Sequence, residues 1–309
     1  MQSGVVDRGD MEAVRSELIV CSRNRPAEVM TLLAALRNCP DAPATLVVDS
    51  SETRETQTAV DDFVALSLHP PVRYLTAPAG LTLQRMVGVR SLAPDTQIVH
   101  FLDDDAIPEP GYFIAIEKVM ASRPGVIGVG GVDTNSQVIS STFMQRLFLL
   151  GSKRPGALLR SGVNVQAGMV SSLSRVDWLS GCCMSYRREV FAHLSFDTRL
   201  SGGALGEDVD FSFRAQKLGS LYVTPHARIE HRQSRTNRMS LDAWWAAEVD
   251  QRHAFVVGAG ADGTSRLAFW WSVAGELLLS FGTAISRGRR SSARRGVAVL
   301  KGALSVRRP

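Results

Sequence analysis

Between Leu18 and Leu102 the chain repeats one pattern: a short apolar run, a polar stop, then a stretch of helical periodicity. Leu18-Ile19-Val20-Cys21 has the length and branching of a buried strand, and Pro26 opens a helix with apolar positions at Val29, Leu32, Leu33 and Leu36. Thr45-Leu46-Val47-Val48 reads as a second strand; a helix over about Thr56 to Leu68 follows, with Val60, Phe63, Val64 and Leu66 as core candidates. Val72-Arg73-Tyr74-Leu75 is a third strand, a helix spans about Thr82 to Leu92, and Ile98-Val99-His100-Phe101-Leu102 is a fourth strand. Strands and helices in this alternation predict a Rossmann-like, mostly parallel α/β sheet with helices on both faces. Ligands of such sheets bind beyond the carboxyl ends of the strands. The residues at those ends are Ser22-Arg23-Asn24-Arg25, Asp49-Ser50 and Asp103-Asp104-Asp105, which form a polar rim.

Asp103-Asp104-Asp105 follows an apolar strand directly. Adjacent carboxylates repel one another, and a divalent cation offsets that cost; the simpler reading is a solvated acidic turn ahead of the helix after Pro108-Glu109-Pro110. Glu207-Asp208 lies behind the flexible Gly202-Gly203-Ala204-Leu205-Gly206 and opens a helix that ends near Gly219. Acids at a helix start are favoured by the dipole, and one of this pair could also take a proton from an acceptor hydroxyl. His231 closes the stretch Ile229-Glu230-His231-Arg232, and beside a carboxylate cluster it suits a metal or a diphosphate. The segment from about Asp133 to Val176 is rich in Ser and Gly, lacks a period, and reads as a long, partly mobile connection across the site. Regular structure resumes at Trp178-Leu179-Ser180-Gly181 and the apolar run Cys182 to Tyr186, and Leu221-Tyr222-Val223 is a further strand.

Taken in order, these elements resemble the family-2 glycosyltransferases of the GT-A fold, over roughly Leu18 to Arg235. The family's polar element after the first strand matches Ser22-Arg23-Asn24-Arg25-Pro26, and its nucleobase-holding aspartate matches Asp49. Its D-x-D motif matches Asp103-Asp104-Asp105, which implies that Asp105 is the principal metal ligand and that Asp103 and Asp104 face the donor. Its acceptor-side W-x-x-G matches Trp178 to Gly181. Its E-D pair matches Glu207-Asp208, with Asp208 implied as the catalytic base, and a histidine after the following strand points to His231 as a second ligand. The family's A-R-N-x-G stretch is represented by Gln84-Arg85-Met86-Val87-Gly88, which keeps a charge for the diphosphate at Arg85 and lacks the asparagine. The resemblance implies an inverting transferase that takes a sugar from a nucleoside diphosphate sugar, with Mn2+ or Mg2+, to a hydroxyl acceptor, a glycan or a lipid-linked one. A G-x-G-x-x-G loop is absent, which argues against a dinucleotide oxidoreductase. A sugar-nucleotide pyrophosphorylase would carry a Gly- and Arg-rich loop after the first strand, and a non-catalytic sugar-nucleotide-binding protein would lose the carboxylate pairs.

Length and composition fit one large globular domain with a smaller appendage: 309 residues, 45% of them hydrophobic and 21% charged. We place a poorly ordered N-terminus over 1–16, a catalytic domain over 17–237 and a helical, basic appendage over 238–309. The first 16 residues lack the apolar core of a secretory signal, and Cys21, Cys39, Cys182 and Cys183 form no C-x-x-C pair, so a cytoplasmic, reducing setting is expected. The net charge of +5 comes from the tail, where Arg287, Arg289, Arg290, Arg294, Arg295, Lys301, Arg307 and Arg308 occur without an acid. Such a tail suits the anionic inner face of a membrane; without an aromatic platform or a known module, nucleic acid is not expected. Leu267 to Ile285 carries only Glu276 as a charge, and Ser272, Glu276, Ser280 and Thr283 recur at helical spacing. That pattern suits a helix lying in a membrane surface with Glu276 at the headgroups; a core helix packed on the catalytic domain is the other reading.

Overall fold

The computed structural model describes residues 14–66, 69–138, 140–198, 205–234, 239–259 and 262–306. The expected N-terminal segment falls largely outside these residues, as do the boundary near Asn237, the glycines at 202–203 and the arginines at 307–308. Ser16, placed in that N-terminal segment, already pairs in the first strand.

The strand–helix alternation appears as β1 (Ser16–Ser22), α1 (Pro26–Arg37), β2 (Ala44–Asp49), α2 (Glu55–Leu66), β3 (Val72–Thr76), α3 (Leu81–Arg90) and β4 (Ile98–Asp103). These strands are parallel, in the order β3-β2-β1-β4. Successive residues of a strand point to opposite faces. Leu18 and Val20 accordingly join one core with α1, while Ile19 joins the other with Val89 of α3. Each such fully buried side chain contributes about 1.5–3 kcal/mol. On α2 only part of the expected face is buried: Thr56, Val60 and Phe63 pack inward at i, i+4 and i+7, whereas Val64 and Leu66 are exposed.

Past β4 come β5 (Ala106–Pro108), α4 (Tyr112–Ser122) and β6 (Val126–Asp133), then α5 (Phe143–Leu147) and β7 (Ser174–Val176). These are followed by β8 (Cys183–Arg187), α6 (Val190–His193), α7 (Glu207–Ala215) and β9 (Ser220–His231). The full sheet runs β3-β2-β1-β4-β8-β6-β9-β5, with β7 also on β9. The stretch expected to be an irregular, mobile connection therefore holds defined structure in its described residues. A capping box between Thr142 and Gln145 starts α5, and β7 pairs with β9. β8 is antiparallel to both β4 and β6, while β9 is parallel to β6. Direction then decides what reaches the site. The carboxyl ends of β1, β2, β4, β6 and β9 lie at one edge, and because β8 runs the other way its start joins them. The backbone N–H of Asp103 donates to the carbonyl of Cys182 at that junction.

The chain ends in α8 (Leu241–Gly258), α9 (Arg266–Arg287) and α10 (Arg290–Ser305). Ser240 and Ser265 cap α8 and α9 by accepting from Ala243 and Ala268. The helices share a small core of Val249, Val256, Phe269, Val273, Val299 and Ala303. By length and composition α9 could cross a membrane, but its polar stripe does not face water or headgroups. Ser272, Glu276 and Ser280 are buried. Arg252 donates to Ser272 and Glu276, and Arg295 donates to Glu276. The reason is electrostatic: a carboxylate sealed from water needs cationic donors, and α8 and α10 each supply one.

Candidate active site

The acidic run at the end of β4 splits into distinct environments. Asp103 is partly exposed, while Asp104 and Asp105 are buried. Asp104 accepts from the Ser22 hydroxyl at 2.8 Å and from Arg25 at 2.9 Å. Burial pushes its carboxyl up to about 6, against the pull of Arg25 and Ser22. Asp105 accepts from the backbone N–H of Ser234 at 2.7 Å and meets His231 Nε2 at 3.1 Å. Burial alone would raise it, but His231, the Ser234 N–H and Arg25 bring it down to about 2. Burial opposes a charge on His231 as well, yet Asp105 and Cys182 push it up to about 10. Ligand-type atoms of Asp103, Asp105 and His231 all lie within 4.8 Å of one another. Two carboxylates and an imidazole at this spacing fit a divalent cation of the Mn2+ or Mg2+ class. Binding would displace the proton that His231 shares with Asp105.

The rest of the rim is built by loops after β1 and β2. Asn24 takes a left-handed conformation, φ 55°, and its side chain accepts from the backbone N–H of Glu52, tying the two loops together. Asp49, buried at the end of β2, accepts from the Ser51 and Tyr74 hydroxyls. Gln84 was not foreseen as a structural tie. Its amide donates to the carbonyls of Ser22 and Val48 and holds the ends of β1 and β2 in register. It lies on a helix face whose buried residues, Thr82, Gln84, Arg85, Gly88 and Val89, are mostly polar or small, so no apolar period marked it out.

Arg85, expected to face a diphosphate, is buried, with its guanidinium over the rings of Phe101 and Phe196, which touch each other edge to face. It lies 2.6 Å from Glu207 and 3.8 Å from Asp103, and it donates to the Gly181 carbonyl at 3.0 Å. Burial pushes Glu207 up to about 8, although Arg85 pulls the other way. Asp208 is partly buried and its carboxyl is raised, by burial first. It accepts from the backbone N–H groups of Gly181 and Val209, each at 2.8 Å. A side chain at Gly181 would press on Arg85 and Glu207 at 3.0 Å, so glycine lets the three segments close. Trp178 is buried and donates to the Val165 carbonyl at 3.0 Å.

A cavity of about 480 Å³ brings most of these groups together, lined by Arg85, Asp103, Asp133, Gln166, Trp178, Gly181, Glu207, Asp208 and His231. A second, of about 350 Å³, opens between the start of α7 and the face of α8. It shares Gln166, Trp178, Ser180 and Asp208 with the first, and α8 adds Trp244, Glu248, Gln251 and Phe255. Asp208 thus borders a metal-type cluster on one side and an aromatic, hydrogen-bonding cleft on the other. The contribution of α8 to this cleft was not foreseen, because its apolar period looks like any packing helix.

The profile of glycosyltransferase like family 2 matches residues 15–254. No curated protein matches the sequence significantly. Among solved structures, the mannosyltransferase PcManGT from Pyrobaculum calidifontis, in complex with GDP-Man and Mn2+, superposes with a TM-score of 0.63 at 16% identity, over 94% of this chain and 86% of that one. GalNAc-T7 with UDP, GalNAc and Mn2+ gives 0.57 at 15% identity, over 90% and 58%. S. aureus TarS 1-349 gives 0.54 at 12%, over 94% and 80%. These likenesses show the GT-A fold, with C-terminal helices added to it. The chain belongs to the glycosyltransferase like family 2, the group its strand-end motifs resemble.

Proposed function

We propose that this protein is an inverting, metal-dependent glycosyltransferase that moves a sugar from a nucleoside diphosphate to a hydroxyl of a glycan or lipid-linked acceptor. One observation carries the reading: Asp208 and the Asp103–His231 side of the cation-type cluster line the same cavity. Asp103, Asp105 and His231 would hold Mn2+ or Mg2+, which when bound supplies positive charge against a leaving diphosphate. Ser22, Asn24, Arg25 and Asp49 form the rim expected for the nucleotide, with Asp104 fixing Arg25. The acceptor enters from the α8 cleft, where the Trp178 and Trp244 rings suit a sugar face and Gln251 and Glu248 suit its hydroxyls. Asp208 takes the acceptor proton. Its raised carboxyl makes it a stronger base than an exposed aspartate, and the Gly181 N–H fixes its direction. Arg85 and Glu207 position that carboxylate from behind. An acceptor oxygen delivered opposite the departing phosphate inverts the anomeric carbon in one displacement.

Residues 17–237 would carry this chemistry, and 238–309 would set the acceptor cleft and hold the protein at the cytoplasmic face of a membrane. The test is a thermal-shift screen of UDP, GDP, their sugar conjugates and Mn2+ or Mg2+, followed by NMR assignment of the product anomer. A midpoint that rises only with nucleotide and metal together is expected, as is a product of inverted configuration. A retained configuration, or no response to any pair, overturns the reading.

A further inference from the structure

α9 is folded inside out. The polar side chains along its middle face the protein: Ser272 is fully buried and Glu276 is 4% exposed. Its outward stripe is Leu267, Trp271, Ala274, Leu278, Phe281 and Ile285, at alternating spacings of four and three, which places them on one face. Leu267, Leu278 and Ile285 are 84%, 63% and 86% exposed, unlike the side chains of a core helix. The stripe extends onto α5, because Trp271 donates to the Leu147 carbonyl and stacks near Phe148, leaving Phe143 and Leu147 exposed beside it. On α10, exposed Val297, Leu300 and Leu304 intersperse with exposed Arg290 and Lys301, while Arg294 is paired with Asp242 of α8.

Nothing in α5, the outward face of α9 or α10 is acidic. Charge therefore selects among the occupants that could cover the stripe. A second copy meeting through the same face would bring Arg290 and Lys301 against their equivalents, because the carboxylate beside them, Asp242 of α8, is already engaged by Arg294. An anionic bilayer answers both features, taking apolar side chains into the acyl boundary and arginines at the headgroups. Spanning is ruled out by packing, since Glu276 and Ser272 are committed to Arg252 and Arg295. We propose that the outward stripe of α9, with the exposed residues of α5 and α10, is a docking face for an anionic phospholipid surface, the helix lying in its plane. The proposal rests on the membrane-side setting given above and not on the catalytic assignment. The burial of Glu276 reverses the orientation expected from sequence: the protein packs on the polar stripe, and the lipid meets the apolar one.

The test is co-sedimentation of the full chain with phosphatidylcholine vesicles with and without phosphatidylglycerol. The partners are Leu278→Glu/Ile285→Glu and, separately, Leu267→Glu. Each substituted residue is exposed, so folding should be retained, and circular dichroism with the nucleotide–Mn2+ thermal shift checks it. The full chain should pellet with the anionic vesicles, more weakly at high salt, and the double variant should partition roughly tenfold less or worse. A full chain that stays in solution, or a double variant that pellets equally, overturns the proposal. Light scattering that finds a dimer which the double variant dissolves would instead assign the face to a second copy. Lost vesicle binding with an intact nucleotide shift, or the converse, separates failure of this proposal from failure of the catalytic reading.

Discussion

Arg85 meets Glu207 beneath the active-site cavity, and Arg252 meets Glu276 between α8 and α9; both pairs are nearly sealed from water. What surrounds them differs. Arg85 is the cation beside Glu207, Asp103 and Asp208, so negative charge is left over and burial lifts Glu207 to about 8. Glu276 receives both Arg252 and Arg295, and Glu248 stands 4.0 Å from Arg252, so charge closes on itself. A closed knot fixes which face of a helix points inward, and here it turns the apolar stripe of α9 outward. An open knot next to Asp103, Asp105 and His231 is a field that attracts a cation. The same residue types thus orient one region and prime the other.

The largest effects should come from breaking the open side. Asp208→Asn keeps the shape of the side chain and removes the base, so turnover should fall by roughly 10²–10⁴ while nucleotide binding is retained. Asp105→Ala should abolish metal-dependent turnover and the metal-dependent part of the nucleotide thermal shift. Normal turnover in either variant, with folding intact, would remove that residue from the proposed mechanism.

Cutting one partner from each knot comes next. Arg85→Met removes the buried cation beside Asp103 and Asp208, and Glu276→Ala leaves Arg252 with only the carboxylate of Glu248, at 4.0 Å. Each should lower stability in urea unfolding by about 3–5 kcal/mol, the range for breaking a buried pair. The two should separate in function: Arg85→Met also loses turnover, because Glu207 and the Gly181 loop are freed, while Glu276→Ala keeps the nucleotide–Mn2+ shift. Equal losses of nucleotide response would mean that the helices and the site are not independent.

The open side was far more legible in the sequence than the closed one. Apolar runs ending in Ser22, Asp49 and Asp103 mark the carboxyl edge of a parallel sheet, because strand period and strand end are local properties. The placement of Gly181 and His231 at that edge depended on β8 running backwards and on β9 following β6, which no local pattern encodes. Asp103, expected on the donor, also stands with Asp105 and His231, a grouping that only the turn after β4 decides. The closed knot was misread for the same reason. Ser272, Glu276 and Ser280 gave the spacing of a stripe, but which way it faced depended on Arg252 and Arg295, on other helices.

A pH series sharpens the contrast with a smaller effect. The Glu207 carboxyl would titrate near 4.5 when unfolded and near 8 when folded. Between those values the native state holds a proton that the unfolded chain has released, so the stability it contributes is complete below about 4.5 and lost as pH rises through about 8. Relative to Glu207→Gln, the wild type should lose stability across this window, by up to about 1 kcal/mol per pH unit. Melting curves of both proteins at pH 5.5 and 8 check it; parallel changes would mean that Arg85 holds Glu207 ionised throughout.

The smallest effect separates the two arginines of the closed knot. Arg295 is half exposed, and its bond to Glu276 competes with water along its length. Arg252 is sealed, and it also donates to Ser272. Arg295→Ala should therefore cost less than about 1 kcal/mol, the range of an exposed ion pair, because Arg252 still neutralises Glu276. Arg252→Ala should cost several-fold more, since Glu276 would keep only its partly hydrated partner. If the two variants melt alike, neutralisation and not burial is what Glu276 needs, and the helices are held by charge count. If Arg295→Ala is the worse of the two, α10 is the anchor of the appendage. The arginines beside its apolar residues would then help to hold the fold together as well as meet lipid.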